Sequence, residues 1–168
     1  MTNVLLAVDG PLYGKVIVDF VLNHQWVQGT HFKLIHAIEP PRGMEAWPEA
    51  RLTDDEAVVA KSMLKEMATR IEKSLPHCKV ECQVCVGYPK EEILLAANEW
   101  PAKMIVMGSH GRTALQRFLV GGVSLAVMMH AKCSTVVVRI PEEALKQEEE
   151  MQRTAKAKGG VATSRKPH

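Results

Sequence analysis

The sequence predicts an α/β fold, a three-layer sandwich around a five-stranded parallel sheet. Three observations carry this expectation. The runs Val4–Val8 and Met104–Met107 are continuously apolar, as strands buried on both faces are. Each strand-like run is closed by glycine or proline. Strand-like runs alternate with helix-period segments from end to end, which calls for parallel pairing, right-handed crossovers and helices on both faces.

Taken in order, Val4-Leu5-Leu6-Ala7-Val8 is the first strand, ended by Asp9-Gly10-Pro11. From Lys15 to Leu22, residues Val16, Ile17, Phe20 and Val21 share one helical face. Phe32 to Ile38 is the second strand, and Glu39 to Leu52, with three prolines and a glycine, reads as a loop. Thr53-Asp54-Asp55-Glu56 has the spelling of a capping box, in which the Thr side chain satisfies an early N–H and Glu reaches back. The helix it opens runs from Asp54 to Ser74, with an expected apolar stripe of Val58, Val59, Met63, Met67 and Ile71.

Lys79 to Val86 alternates as a third strand. Gly87-Tyr88-Pro89 turns it into a helix whose inner face is Ile93, Leu94 and Ala97, with Pro89 at the first position, where a missing N–H is harmless. The fourth strand begins at Met104, a helix follows from about Val123 to Ala131, and Ser134 to Ile140 is the fifth strand.

A chain of 168 residues, 46% hydrophobic and 24% charged, suits one globular domain, 1–141, with a charged tail at 142–168. The tail carries six Lys or Arg against five Asp or Glu and almost no large apolar side chains, so it reads as a frayed helix giving way to disorder. A net charge of +2 makes no case for nucleic acid or for an anionic membrane surface. The first residues lack the basic region of a signal peptide, and no apolar run approaches the ~20 residues of a spanning helix. The expectation is a soluble cytoplasmic protein.

Cys82-Gln-Val-Cys85 has the CxxC spelling but lies on a strand, where side chains three apart point to opposite faces. Redox pairs sit at helix starts and zinc knuckles on turns, so these read as reduced thiols. No metal site is expected.

Chemistry is concentrated between Lys103 and Ser124. An apolar run breaks at Gly108-Ser109-His110-Gly111, and nine residues later Gly121-Gly122-Val123-Ser124 opens a helix. Glycine lets backbone approach a ligand closely, and free N–H groups at a helix start suit phosphate oxygens. Ligands of such sheets bind beyond the carboxyl ends of strands where the strand order reverses. If the first and fourth strands are neighbours there, Asp9-Gly10 and Gly108-Ser109 face one ligand. Gly10 to Gly14 followed by Lys15-Val16 is not a Walker A loop.

With these residues the chain, over Thr2 to Pro141, resembles the universal stress protein family. The specific element is the ATP-binding branch's G-x2-G-x9-G-[ST], read here as Gly108, Gly111, Gly121 and then Gly122. Val8-Asp9-Gly10, Leu34-Ile35-His36-Ala37 and Gly87-x-Pro89 with Glu92-Ile93-Leu94 support it. The resemblance implies a Rossmann-like sheet, adenine nucleotide alpha hydrolase-like, in the order 3-2-1-4-5. It implies a homodimer in which the last strands, Ser134 to Ile140, pair antiparallel. It implies ATP, or AMP or ADP, as ligand. Asp9 and Ala37 would flank the adenine, and Ala7 and Gly108 would lie near adenine and ribose. Gly111, Gly121, Gly122, Val123 and Ser124 would line the triphosphate, with Arg112 at its rim. Mg²⁺ would accompany a triphosphate, although no carboxylate pair is placed to hold it.

Two residues depart from that pattern. Gly122 stands where the family has Ser or Thr, which removes a hydroxyl donor of ~1 kcal/mol, and Pro11 replaces a common serine. The plainer readings are a turn aspartate at Asp9, a satisfied core histidine at His36, an exposed loop histidine at His110 and a tight turn at Gly121-Gly122. No nucleophile, base and oriented acid come together, so no catalytic residue is assigned and any ATP hydrolysis would be slow. The rival to a nucleotide-binding regulator is a dimeric interaction module of the same fold that has lost its nucleotide. A phosphotransfer or hydrolytic enzyme, lacking clustered acids, ranks last.

Overall fold

The computed structural model describes residues 2–40, 54–109, 121–139, 141–143, 146–147, 150 and 153–154. Nine elements follow in the order β1 (Asn3–Ala7), α1 (Pro11–Leu22), β2 (His31–Ile38), α2 (Asp54–Ser74), β3 (Lys79–Val86), α3 (Pro89–Glu99), β4 (Met104–Gly108), α4 (Gly122–His130) and β5 (Ser134–Val138). The five strands form one sheet in the order β3-β2-β1-β4-β5, and every neighbouring pair is parallel.

Alternation along the strands divides the core into two layers. Val4, Leu6 and Val8 of β1 and its exit pack with Ile17, Val18 and Val21 of α1 and Leu64, Met67 and Ile71 of α2. Leu5 and Ala7 point the other way, to Ile93, Ala96 and Ala97 of α3 and Val127 of α4. Val4, Leu5 and Leu6 are fully buried, which for side chains of this size stabilises by about 1.5–3 kcal/mol each. The hydrophobicity of β1 on both faces is therefore a consequence of its central place in the sheet.

The α2 stripe differs from the expectation. Val58 and Val59 are 62% and 68% exposed, and the buried residues are Ala60, Leu64, Met67, Ala68 and Ile71. Their spacing of three and four keeps one face inward over three turns. Helix α1 begins a turn earlier than Lys15, at Pro11, because proline pre-sets φ for the first helical position after Gly10. On α3 the inner face is Ile93, Ala96 and Ala97, with Leu94 only half-buried. Strand β5 stops at Val138. Thr53 of the capping box, most of the 39–52 loop and Ile140 lie outside the described residues. The described residues of the 142–154 segment are helical and exposed.

Cys82 and Cys85 diverge as a strand requires. The Cys82 thiol donates to the Leu64 carbonyl of α2 at 3.5 Å, whereas Cys85 packs with the α3/α4 layer. Burial, reinforced by the neighbouring Glu92 carboxylate, pushes the Cys85 thiol up to about 12.

Helix α1 lies close against the sheet because Gly14 has no side chain. A Cβ there would stand 2.7 Å from Val8 Cγ1 and within 2.7 Å of the Met67 thioether. Lower on the same interface, Asp19 pairs with Lys15 at 2.7 Å and with Arg70 of α2 at 2.5 Å. Burial pushes the Asp19 carboxyl up, the hydrogen bonds and charges of Lys15 and Arg70 push it down, and the balance leaves it below its ordinary value.

A carboxylate depressed in the folded state stabilises above its unfolded pKa and loses that contribution as pH falls through the folded value. The variant Asp19→Asn should therefore unfold at lower denaturant than the parent at pH 7. The gap should close as pH is taken down through the carboxylate range. Coincident midpoints at pH 7 would mean that the clasp contributes nothing.

Candidate functional site

The strand order reverses between β1 and β4. From β1 the chain winds outward to β2 and β3 on one side, while β4 and β5 lie on the other. Crevices in open parallel sheets form at this point, beyond the carboxyl ends of the two strands.

On the β1 side, Ala7 is the last strand residue, paired with Ile35 of β2 and Met107 of β4. The Val8 N–H still donates to the Ile35 carbonyl at 2.9 Å, and the chain then leaves the sheet. Gly10, at φ 87°, makes the turn into α1, a conformation that glycine adopts without strain.

On the β4 side, short hydrogen bonds suspend the start of α4 over the strand end. Ser109 N–H donates to the Val138 carbonyl at 2.8 Å, and Gly121 N–H donates to the Ser109 carbonyl at 2.7 Å. The Ser124 hydroxyl donates to the Gly108 carbonyl at 2.6 Å. Gly121 is the N-cap, so the N–H groups of Gly122, Val123 and Ser124 have no partner within the helix.

Electrostatics distinguish the helices around the crevice. Neither α1 nor α4 has an acidic residue in its first turn or a side-chain cap, whereas α3 opens with Glu91 and Glu92. The first turns of α1 and α4 thus hold no acid to offset the partial positive charge of a helix N-terminus.

A second feature lies on β2. Residues of a parallel strand direct N–H and C=O together to one neighbour, alternating sides. Ile35 faces β1, so Ala37 faces the same way. By then β1 has gone. The Val8 carbonyl, next acceptor in the ladder, is bonded by His36 Nδ1 at 2.8 Å. Among the described residues no backbone hydrogen bond joins Ala37 to β1 or its turn. Its N–H and C=O therefore present a donor and an acceptor, side by side, to the gap beside Asp9.

Of the residues expected from the sequence, Ala7 is 8% exposed, and Ala37, Asp9 and Gly108 are half-buried. Ala7 and Ala37 both belong to the α3/α4 side of the sheet by alternation. Gly121 is half-buried, Gly122 and Val123 are exposed, and Ser124 is buried. Gly108 and Ser124 are in direct contact. Gly111, Arg112 and His110 lie outside the described residues. The Ser124 hydroxyl, expected to face phosphate, is committed to Gly108, and what that residue offers a ligand is its N–H. The role of His36 at Val8 was not legible, since a buried strand histidine carries no sequence mark of its partner. Among the described residues no three His, Cys, Asp or Glu side chains are grouped to hold a metal ion. No helix among them is long and apolar enough to cross a membrane.

Comparison with known proteins gives a consistent result. The sequence model of the Universal stress protein family matches residues 1–139. Universal stress protein A homolog 2 of Coxiella burnetii is 37% identical over 141 residues, 82% of this chain and 92% of that protein. The solved structure of the hypothetical protein MJ0577 matches with a TM-score of 0.72 at 24% identity, covering 83% of this chain and 96% of that one. The universal stress protein from Archaeoglobus fulgidus in complex with dAMP matches with a TM-score of 0.60 at 22% identity, covering 82% and 98%.

Gly122 is not demanded by the backbone. A Cβ built there meets nothing within 4 Å, and Gly122 is not among the glycines of positive φ. The variant Gly122→Ser should fold normally and gain up to about 0.5 kcal/mol from helix propensity. Thermal unfolding checks this, and a clear drop in Tm would mean that the position is sterically closed.

Proposed function

The chain belongs to the universal stress protein family, and from that premise we propose that it binds an adenine nucleotide, ATP foremost, in the crevice between β1 and β4. The observation that carries this is the pairing of two unlike features at one switch point. The start of α4 offers an anion N–H groups that have no partner within the helix, and Ala37 offers an adjacent donor and acceptor. The Watson–Crick edge of adenine has the complementary pair, the N1 acceptor beside the N6 amine.

In this reading Ala37 takes the base edge, and Ala7, with its small side chain on the same face, leaves room for the ring. Asp9 accepts from the ribose. Backbone N–H groups of Gly122, Val123 and Ser124 take phosphate oxygens, Gly121 lets the phosphate come close, and Gly111 and Arg112 complete the triphosphate cradle. Gly108 lets the sugar lie close to the end of β4. Mg²⁺ would travel with the triphosphate, held by phosphate oxygens. In this reading the output of the site is occupancy. A bound nucleotide orders the β1 and β4 turns and changes the surface that other proteins meet. The function is regulatory, in the cytoplasm, in a homodimer formed through β5, the short apolar edge strand.

The second reading, a dimeric interaction module without nucleotide, is favoured by one observation, the absent hydroxyl at Gly122. Calorimetric titration separates the two. ATP should give saturable heat, and Gly121→Val should weaken binding at least tenfold, ~1.4 kcal/mol, by standing a branched side chain where phosphate must approach. No heat from the parent at millimolar ATP would leave the module; unchanged affinity in the variant would move the site elsewhere.

A further inference from the structure

His36 is a buried titratable side chain, 6% exposed, that the nucleotide site as described does not use. It directly precedes Ala37 on β2, and its ring crosses to the neighbouring strand, reaching Val8 just past the end of β1. A carbonyl oxygen only accepts, so the 2.8 Å contact to Val8 O requires that Nδ1 carry the proton and donate. On the other side the His36 carbonyl accepts from the Cys85 thiol of β3 at 3.6 Å.

Without that imidazole the ladder has an obvious next step. Val8 N–H already bonds Ile35 O, and the parallel pattern would next place Ala37 N–H on Val8 O. A buried carbonyl left unpaired is costly, so Val8 O would draw the Ala37 N–H if nothing else served it. That closure would use up the donor facing the crevice and pull the Val8–Asp9 peptide towards β2.

We propose that His36 is a positioning residue for base recognition: by satisfying Val8 O through Nδ1, it stops the β1–β2 ladder one step early and keeps the Ala37 N–H available to the ligand. This rests on the nucleotide reading of the crevice. His36 touches no ligand, and the phosphate half at α4 does not depend on it. Its effect is therefore selective, on preference for adenine over guanine, whose corresponding edge carries a donor at N1 and an acceptor at O6.

Two substitutions separate geometry from bulk. In His36→Asn the amide nitrogen falls at the Nδ1 position. In His36→Gln it lies one bond further out and cannot make the same bond. The full-length parent and both variants are titrated with ATP, GTP and inorganic tripolyphosphate, with thermal unfolding as a control. Amide hydrogen exchange at Ala37 is followed by NMR without nucleotide. The parent and His36→Asn should prefer ATP over GTP by at least about tenfold and exchange the Ala37 amide rapidly. In His36→Gln the preference should fall to within about threefold, tripolyphosphate affinity should hold, and the Ala37 amide should be protected. Equal behaviour of the Asn and Gln variants, or equal loss of tripolyphosphate and ATP binding, would overturn the inference. If the parent binds no ATP, the nucleotide reading fails by itself, and exchange at Ala37 still decides whether His36 keeps that amide open.

Discussion

The structure turns on the point where β1 leaves the sheet. β1 lies at the centre of five parallel strands, with Val4, Leu5 and Leu6 fully buried. A central strand cannot end without orphaning the backbone groups of both neighbours, and buried backbone groups are almost always paired. Here the ending is managed on each side by a different device. Towards β2, the His36 ring takes the Val8 carbonyl. Towards β4, the strand end is roofed by α4, with Gly121 N–H on Ser109 O and the Ser124 hydroxyl on Gly108 O. Both devices leave N–H groups facing the same crevice, at Ala37 and at the first turn of α4.

Tight packing beneath the crevice holds this arrangement. Gly14 lets α1 lie where any side chain would collide with Val8 and Met67, so the chain beyond Val8 is fixed by contacts on the α1/α2 side. Ala7 and Ala37 belong to the opposite layer, on the α3/α4 side. The thiol nearest the site, Cys85, pairs across strands with Ala37. With its pKa pushed up to about 12 by burial and Glu92, it is not a nucleophile at neutral pH.

How far this was legible from the sequence varies with the physical signal. β1 and β4 were plain because strands buried on both faces must be apolar throughout. Alternation pointed to parallel pairing, whereas the strand order, with its reversal between β1 and β4, came from the family resemblance alone. The divergence of Cys82 and Cys85 followed from a period of two. The α2 stripe failed at Val58 and Val59. Apolar residues at the start of a long helix fit several registers, and only packing against α1 and β3 selects the face through Ala60 and Leu64. Helix α1 was begun too late because Pro11 reads as a stop after a strand and as a start before a helix. The bonds of His36 and Ser124 left no mark, since each joins residues brought together by the sheet.

Gly122 shows where sequence pattern and local physics part. As a departure from a motif it argues against phosphate binding, because a hydroxyl donor is missing. The structure weakens that inference. The neighbouring hydroxyl, Ser124, is turned away to Gly108, where it fastens α4 to β4. In this chain, then, what the turn can offer an anion is backbone N–H groups and the dipole of α4. Glycine at the first helical position exposes that backbone more fully than serine would, with nothing within 4 Å of where a Cβ would stand. A lost hydroxyl is worth ~1 kcal/mol, and a helix start whose first turn holds no acid keeps an attraction of comparable size for an anion. How α4 is hung from β4 therefore decides what this turn can offer an anion, more than the residue type at position 122 does.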